Sequence, residues 1–157
     1  MKKYLLLLSF VIFLPVLTFS QDNNSNISCD SSLWQHVYKA YRLEVIEECK
    51  TVTGTINLIR KEKDGDLHIQ LKLDKGQGYL LNKKNKTRQK GCLVLEPVCI
   101  GKVTQQSALG YCDDYVNKVY IPEVGEHVRV TGSYVLDTEA GHGWREIHPV
   151  TKIEVIK

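Results

Sequence analysis

The 157-residue chain has no C-x-x-C pair, no H-E-x-x-H and no G-x-S-x-G. The first absence argues against a zinc ribbon or a thioredoxin-like redox motif. The second removes the metalloprotease helix, and the third the nucleophile elbow of serine hydrolases. No apolar run is long enough for a membrane span: Leu5 to Leu14 is followed at once by Pro15, whereas about 20 apolar residues are needed. No internal repeat is evident, although VTGTI (Val52 to Ile56) and VTGSY (Val130 to Tyr134) echo each other.

The amino terminus carries an address. Lys2 and Lys3 precede the short apolar run, and Thr18-Phe19-Ser20 supplies small residues at −3 and −1 before Gln21. This is the pattern of a secretory signal peptide over residues 1–20. No cysteine stands directly after the cleavage point, which argues against a lipid anchor. Removing the leader would leave 137 residues, enough for one domain with its own core. It also leaves 19 basic against 18 acidic residues, near +1, so the basicity of the full chain is largely a targeting signal. A surface built wholesale for polyanions is not implied.

Export places all five cysteines in a compartment that favours disulfides, secreted or periplasmic. Cys99 and Cys112 flank a loop containing Gly101 and Gly110 and are the expected pair. The loop-entropy model assigns a bridge of that span about 3 kcal/mol, less any strain. Cys29–Cys49 is the second expectation, which leaves Cys92 as a small buried apolar residue.

Residues 21–30 read as a polar tether, and 31–157 as a single domain. Asp30-Ser-Ser offers helix caps before Trp34, Val37, Tyr38 and Tyr41, spaced i, i+3, i+4, i+7, which predicts a short helix with a core-facing stripe. From Cys49 the period becomes two. Val52, Gly54, Ile56 and Leu58 alternate with polar residues, Asp64-Gly65 marks a hairpin turn, and Leu67 to Leu73 returns with a clean apolar face. A polar basic segment ending at Gly91 separates this hairpin from a third strand, Cys92 to Val98. A fourth strand is expected over His127 to Leu136 and a fifth over Trp144 to Ile156, bent or bulged at Pro149. Five strands, hairpins 1–2 and 4–5, and a long irregular link between strands 3 and 4 fit a mainly β, OB-like Greek-key barrel. Gly54 and Gly132 then fall at barrel corners, where a side chain must be missing.

VTGTI…DGDLHIQLKLD, LVLEPVC and GEHVRVTGSYVLD…HGWREIHPVTKI resemble a group of small secreted or membrane-tethered microbial domains closed by an HGW-EIHP motif. The resemblance covers Cys49 to Ile156. It implies an OB-like barrel and export but no activity, and the Ala-Gly inserted in EAGHGW lengthens the turn relative to that pattern.

In an OB-like barrel the 1–2 and 4–5 loops flank the usual binding face. Asp64, Asp66 and His68 are therefore expected near His142, Trp144, Glu146 and His148, the last three sharing one strand face. Three uses compete for them. Glu146 and His148 can bond to each other around the Pro149 break while Trp144 covers the barrel mouth. Trp144 can instead head a recognition surface for a sugar, peptide or nucleic acid. Or His142, Glu146 and His148, with Asp64 or Asp66, can hold a divalent metal. No organic cofactor is expected. GTINLIRKEKDGD has a passing likeness to the first hairpin of staphylococcal-type nucleases, but no matching arginine pair is evident. Lys83, Lys84, Lys86, Arg88 and Lys90 form a weak anion-binding candidate without interleaved aromatics, with a solvated loop as the simpler reading. Asn85-Lys86-Thr87 is a glycosylation sequon. The function expected is an exported binding module, and the alternative is a metal-dependent hydrolase or nuclease on the same barrel.

Overall fold

The computed structural model describes residues 28–157, so the expected signal peptide and most of the tether lie outside the described residues. Strand β1 (Leu43–Lys61) is followed by β2 (Leu67–Leu73), helix α1 (Lys83–Arg88), β3 (Leu93–Leu95), β4 (His127–Asp137) and β5 (Arg145–Val155). The five strands form a mixed sheet in the order β1-β2-β3-β5-β4, with β1 also bonded to β4 so that the sheet closes into a barrel. Closure is uneven. β1 and β4 pair over ten positions, but the parallel β3–β5 seam consists of Val94 opposite Glu146 and Leu95 opposite Ile147.

Alternation explains the core. Ile69 and Leu71 of β2, Leu93 and Leu95 of β3, Val128 and Val130 of β4, and Ile147 and Ile153 of β5 fill the barrel with Val52 and Ile56. A second apolar layer outside it joins Leu33, Val37, Leu43, Val98, Cys99 and Val135. Val135 belongs to this layer while its neighbour Tyr134 belongs to the first, so β4 is covered on both faces. The cover is the amino-terminal segment together with the 99–115 connection. The two meet through the stacked rings of His36 and Tyr115, 3.8 Å apart, and the Tyr38–Ser107 hydrogen bond. Disulfides Cys29–Cys49 and Cys99–Cys112 pin both ends of that cover, and Cys92 is free and buried.

Several sequence expectations need correction. The amino-terminal helix is two 3-10 turns, Ser31–His36 and Ala40–Arg42, parted by Lys39 at φ 55°. That left-handed residue breaks the stripe, so Val37 is buried while Tyr41 is 82% exposed. Strand β1 begins at Leu43, not Cys49, because β4 gives it a partner that far back. Strand β3 stops at Leu95, short of Val98, because Pro97 has no N–H to extend the ladder. The basic segment is helix α1 and not a loop. Asn82 and Asn85 exchange side chain-to-backbone bonds in a capping box, which supplies the start signal. The Asn85 amide is wholly buried and bonds the carbonyls of Cys92 and Arg145, so the sequon is closed to glycosylation in the folded protein.

The expected break at Pro149 is present: the β4–β5 register shifts on both sides of Gly132, which faces Val150. A Cβ on Gly132 would lie 2.4 Å from the Pro149 carbonyl oxygen and 2.5 Å from Ile147 Cγ2. Gly132→Ala is therefore expected to lower stability by about 1–3 kcal/mol through overpacking. Chemical denaturation checks this; a wild-type midpoint would mean the corner can open freely.

Candidate functional site

On the outer face of the barrel, beneath the cover, polar side chains gather that strand alternation alone would have turned to solvent. Strand β2 contributes His68 and Gln70, β5 contributes Glu146 and His148, and Asp66 and Glu96 stand just outside β2 and β3; all are buried. His148 is central. Its Nδ1 donates to Glu146 Oε1 at 3.0 Å, with Glu96 Oε2 beside it at 3.1 Å. The other ring nitrogen, Nε2, has no hydrogen-bond partner and lies 3.9 Å from Asp66 Oδ2. Glu146 Oε2 accepts the Trp144 indole N–H at 2.8 Å. Asp66 Oδ1 accepts the Cys99 backbone N–H at 2.8 Å, which ties the site to the disulfide. His68 Nδ1 meets Glu96 Oε1 and Nε2 meets Gln89 Oε1, each at 3.1 Å. Both neighbours are acceptors, since Gln89 Oε1 also takes the Gln70 amide at 3.0 Å, so the ring is placed to donate from both nitrogens.

A second knot adjoins the first. Asp137 Oδ2 accepts from Arg42 Nη1 at 2.5 Å and from His142 Nδ1 at 2.6 Å, and Arg42 Nη2 reaches Glu96 at 3.9 Å. The His142 ring stacks on Trp144 with centroids 4.1 Å apart, and the His68 ring meets Trp144 edge-on at 6.0 Å. Four carboxylates, Asp66, Glu96, Glu146 and Asp137, thus face Arg42 and three imidazoles. Burial disfavours every charge here, and proximity decides which survive. For His148, burial opposes protonation, but the hydrogen bond to Glu146 and the contact with Glu96 outweigh it and raise the ring to about 10. His68 is raised too, its burial outweighed by Glu96. The two histidines hold Glu96 below the ordinary carboxylate range despite burial. Burial, then the Glu96 charge, pushes Glu146 up. Burial pushes Asp66 up to about 8, against the pull of His148.

Over this floor opens a cleft of about 360 Å³. Its lining includes Arg60, Lys63, Asp64, His68, Glu96 and His142, with Arg42 and Trp144. The 61–67 and 137–145 turns therefore border one cavity, and Asp64, His68, His142 and Trp144 all line it. Asp66, Glu146 and His148 lie beneath, out of the lining. Trp144 is only 8% exposed, its indole N–H is committed and a histidine ring covers it, so it is a wall and not an open stacking platform. The expected metal set of His142, Glu146 and His148 does not converge as ligands: His142 turns to Asp137, and both Glu146 oxygens are engaged within the chain. The donor atoms that do converge, within 4.8 Å of one another, belong to Asp66, Glu96 and His148. Lys83, Lys84, Lys86, Arg88 and Lys90 are exposed and line no part of the cleft. Helix α1 instead clamps the turn before β5, through Asn82 to the Gly143 carbonyl and Asn85 to Arg145 N–H and carbonyl.

The sequence reading missed Glu96, Arg42 and Asp137. Glu96 had a signal, as the one charged residue in the apolar run LVLEPVCI (93–100). Comparison with protein-family models and with curated proteins finds no match for this chain.

Two tests follow from the cluster. Glu146→Gln loses an acceptor for either Trp144 or His148 inside the protein and is expected to cost about 1–3 kcal/mol in denaturant unfolding. A neutral result would show that water reaches the site. The second test is the pH dependence of stability in chelator-treated protein. Between its ordinary 3.8 and about 8, Asp66 holds a proton in the folded state that the unfolded state has released. His148 does the same between 6.5 and about 10. Where the folded state binds more protons, stability falls as pH rises. Glu96, held low, costs stability only below its ordinary 4.5. The melting temperature is thus expected to decline from pH 5 to pH 9; a rise over that range contradicts the assigned protonation states.

Proposed function

We propose that this chain is exported after loss of residues 1–20 and acts as an OB-like binding module for a small, neutral, polyhydroxy ligand such as a short saccharide. The observation that carries the reading is the convergence of the turn after β1 and the turn before β5 on one cleft. Loops in those positions supply the recognition surface of OB folds, and the strand order β1-β2-β3-β5-β4 supports that assignment. Two disulfides support export.

Ligand chemistry is argued from the rim. At about 360 Å³ the cleft falls at the small end of ligand pockets, roughly 300–1,000 Å³. Three of its four cations are matched internally: Arg60 with Glu62 at 2.7 Å, Lys39 with Glu139 at 3.8 Å, and Arg42 with Asp137, with Lys63 outside these pairs. Both cleft arginines are therefore committed, which disfavours a phosphate-rich ligand or nucleic acid. Paired carboxylates and guanidinium groups retain lone pairs and N–H groups for hydroxyls, and His142 offers an accessible ring edge. A larger groove of about 820 Å³, lined by Asp114 to Tyr120 and Thr151 to Ile153, is more open and lacks such convergence.

Titration of the mature protein with a panel of mono- and disaccharides, followed by amide and indole NMR shifts, tests this. Shifts are expected at Lys63, His142 and Trp144. Arg60→Ala or Lys63→Ala, both at exposed positions, should weaken binding about tenfold with an unchanged melting temperature. Shifts confined to the 114–120 groove would move the site. Dipeptides or nucleotides binding in the cleft where saccharides do not would overturn the ligand class.

A further inference from the structure

We propose that Asp66, Glu96 and the Nε2 atom of His148 form a buried site for a divalent transition-metal ion of the zinc class. This stands apart from the saccharide reading, because none of its steps requires a ligand in the cleft.

The argument begins with an atom that lacks a partner. His148 is wholly buried, and its Nε2 has no hydrogen-bond partner. That atom faces Asp66 Oδ2 across 3.9 Å, too far for a hydrogen bond. Zinc sits about 2.0–2.2 Å from imidazole nitrogen and carboxylate oxygen, so an ion bound to both spans up to roughly 4.2 Å. The gap is therefore that of an ion-bridged pair, and closing it by about half an ångström gives the tetrahedral separation. The Glu96 carboxylate supplies the third donor: one of its oxygens, one of Asp66 and a ring nitrogen of His148 lie within 4.8 Å of one another.

The surroundings of the three donors match what a metal site requires. A ligating histidine usually gives its other N–H to a carboxylate, which fixes the ring; binding of the ion releases to solvent the protons that His148 Nε2 and Asp66 hold in the metal-free protein. His148 Nδ1 meets Glu146 Oε1 at 3.0 Å, and Glu146 is itself held by the Trp144 indole at 2.8 Å. Asp66 is oriented by the Cys99 N–H on Oδ1, which leaves Oδ2 turned to His148. Glu96 is oriented by His68, in turn held by Gln89. One nitrogen and two carboxylates suit zinc, or manganese and iron in the divalent state, better than a thiolate-seeking ion. Cys99 and Cys112 also lie close to Asp66, but their sulfurs are bonded to each other and are not ligands. Of the three donors, Glu96 is the one that also lines the cleft.

The test uses the exported protein stripped with a chelator and titrated with zinc against a chromophoric competitor, with cobalt as the spectroscopic probe. One equivalent should bind at submicromolar concentration, and cobalt should give the visible bands of a four- or five-coordinate N/O site without a thiolate charge-transfer band. Asp66→Asn and His148→Gln are each expected to weaken zinc binding at least a hundredfold. Lys152→Ala, exposed on the groove lined by Asp114 to Tyr120 and not on the cleft, should leave it unchanged. Should His148→Gln fail to fold, Asp66→Asn, which preserves shape, carries the comparison alone. Absence of stoichiometric zinc or cobalt binding at 100 μM overturns the proposal. A thiolate band, which would bring in Cys92, overturns it as well, as does unaltered affinity in Asp66→Asn. A saccharide that still binds the metal-free protein leaves the cleft reading standing whichever way this result falls.

Discussion

The folded chain is organised around the imidazole of His148, enclosed between Glu146 and Glu96 on the outer face of a barrel. An ionisable ring taken wholly out of water is costly unless its partners are placed with precision. Glu146 stands two residues away on β5, while the other partners come from distant parts of the chain, Glu96 from the end of β3 and Asp66 from the start of β2. The cluster therefore forms only when the parallel β3–β5 seam, the thinnest part of the sheet, is closed. Two residue pairs of backbone ladder are a small claim on that seam. The polar contacts across it join the same segments through side chains, and Glu96 continues the connection by bonding Ile147 and Val150 through its backbone.

Burying polar groups outside a barrel requires a lid, and the lid explains the amino-terminal segment and both disulfides. The 3-10 turns present Leu33 and Val37 to Val98, Cys99 and Val135, so an apolar layer seals the cluster from one side. Cys99 serves three needs at once. Its sulfur staples the 99–112 connection, its side chain fills that layer, and its backbone N–H holds Asp66. Its positive φ of 54° turns the chain sharply where these roles meet. Oxidative folding and assembly of the polar cluster are thereby coupled through one residue.

What was legible in the sequence was local. The Asp64-Gly65 turn, the alternation of Leu67 to Leu73 and the glycine at each barrel corner all act within a few residues, and strict period two marks them. The pairing of Cys99 with Cys112 follows from a short loop. The same period misled where a face was covered from afar. His68 and Gln70 stand on the face of β2 opposite its apolar residues, yet they are buried, with Gln89 bonded to both. Asp137 and Arg42, 95 residues apart, meet only because β4 pairs along its whole length with β1 back to Leu43. The amino-terminal stripe failed for a different reason: i, i+3, i+4 spacing fits a 3-10 turn nearly as well as an α-helix over one turn, and Lys39 then changes the chain direction.

The division between floor and rim bears on how such a site can change. Most donors and acceptors of the floor are committed to a neighbour, Nε2 of His148, Oδ2 of Asp66 and Nε of Arg42 apart, so substituting one strands another at a cost comparable to a large share of domain stability. Rim residues are tied mainly by exposed pairs such as Arg60 with Glu62, whose individual contribution to stability is small. A ligand preference carried by Arg60, Lys63 and Glu139 can therefore be altered while the floor stays fixed. His142 stands between the two regimes, 37% exposed in its side chain yet bonded to Asp137 and stacked on Trp144. It is the side chain through which occupation of the cleft would be felt below. Any ligand that turns its ring must disturb the Arg42–Asp137 pair, and through Arg42 the carboxylate of Glu96.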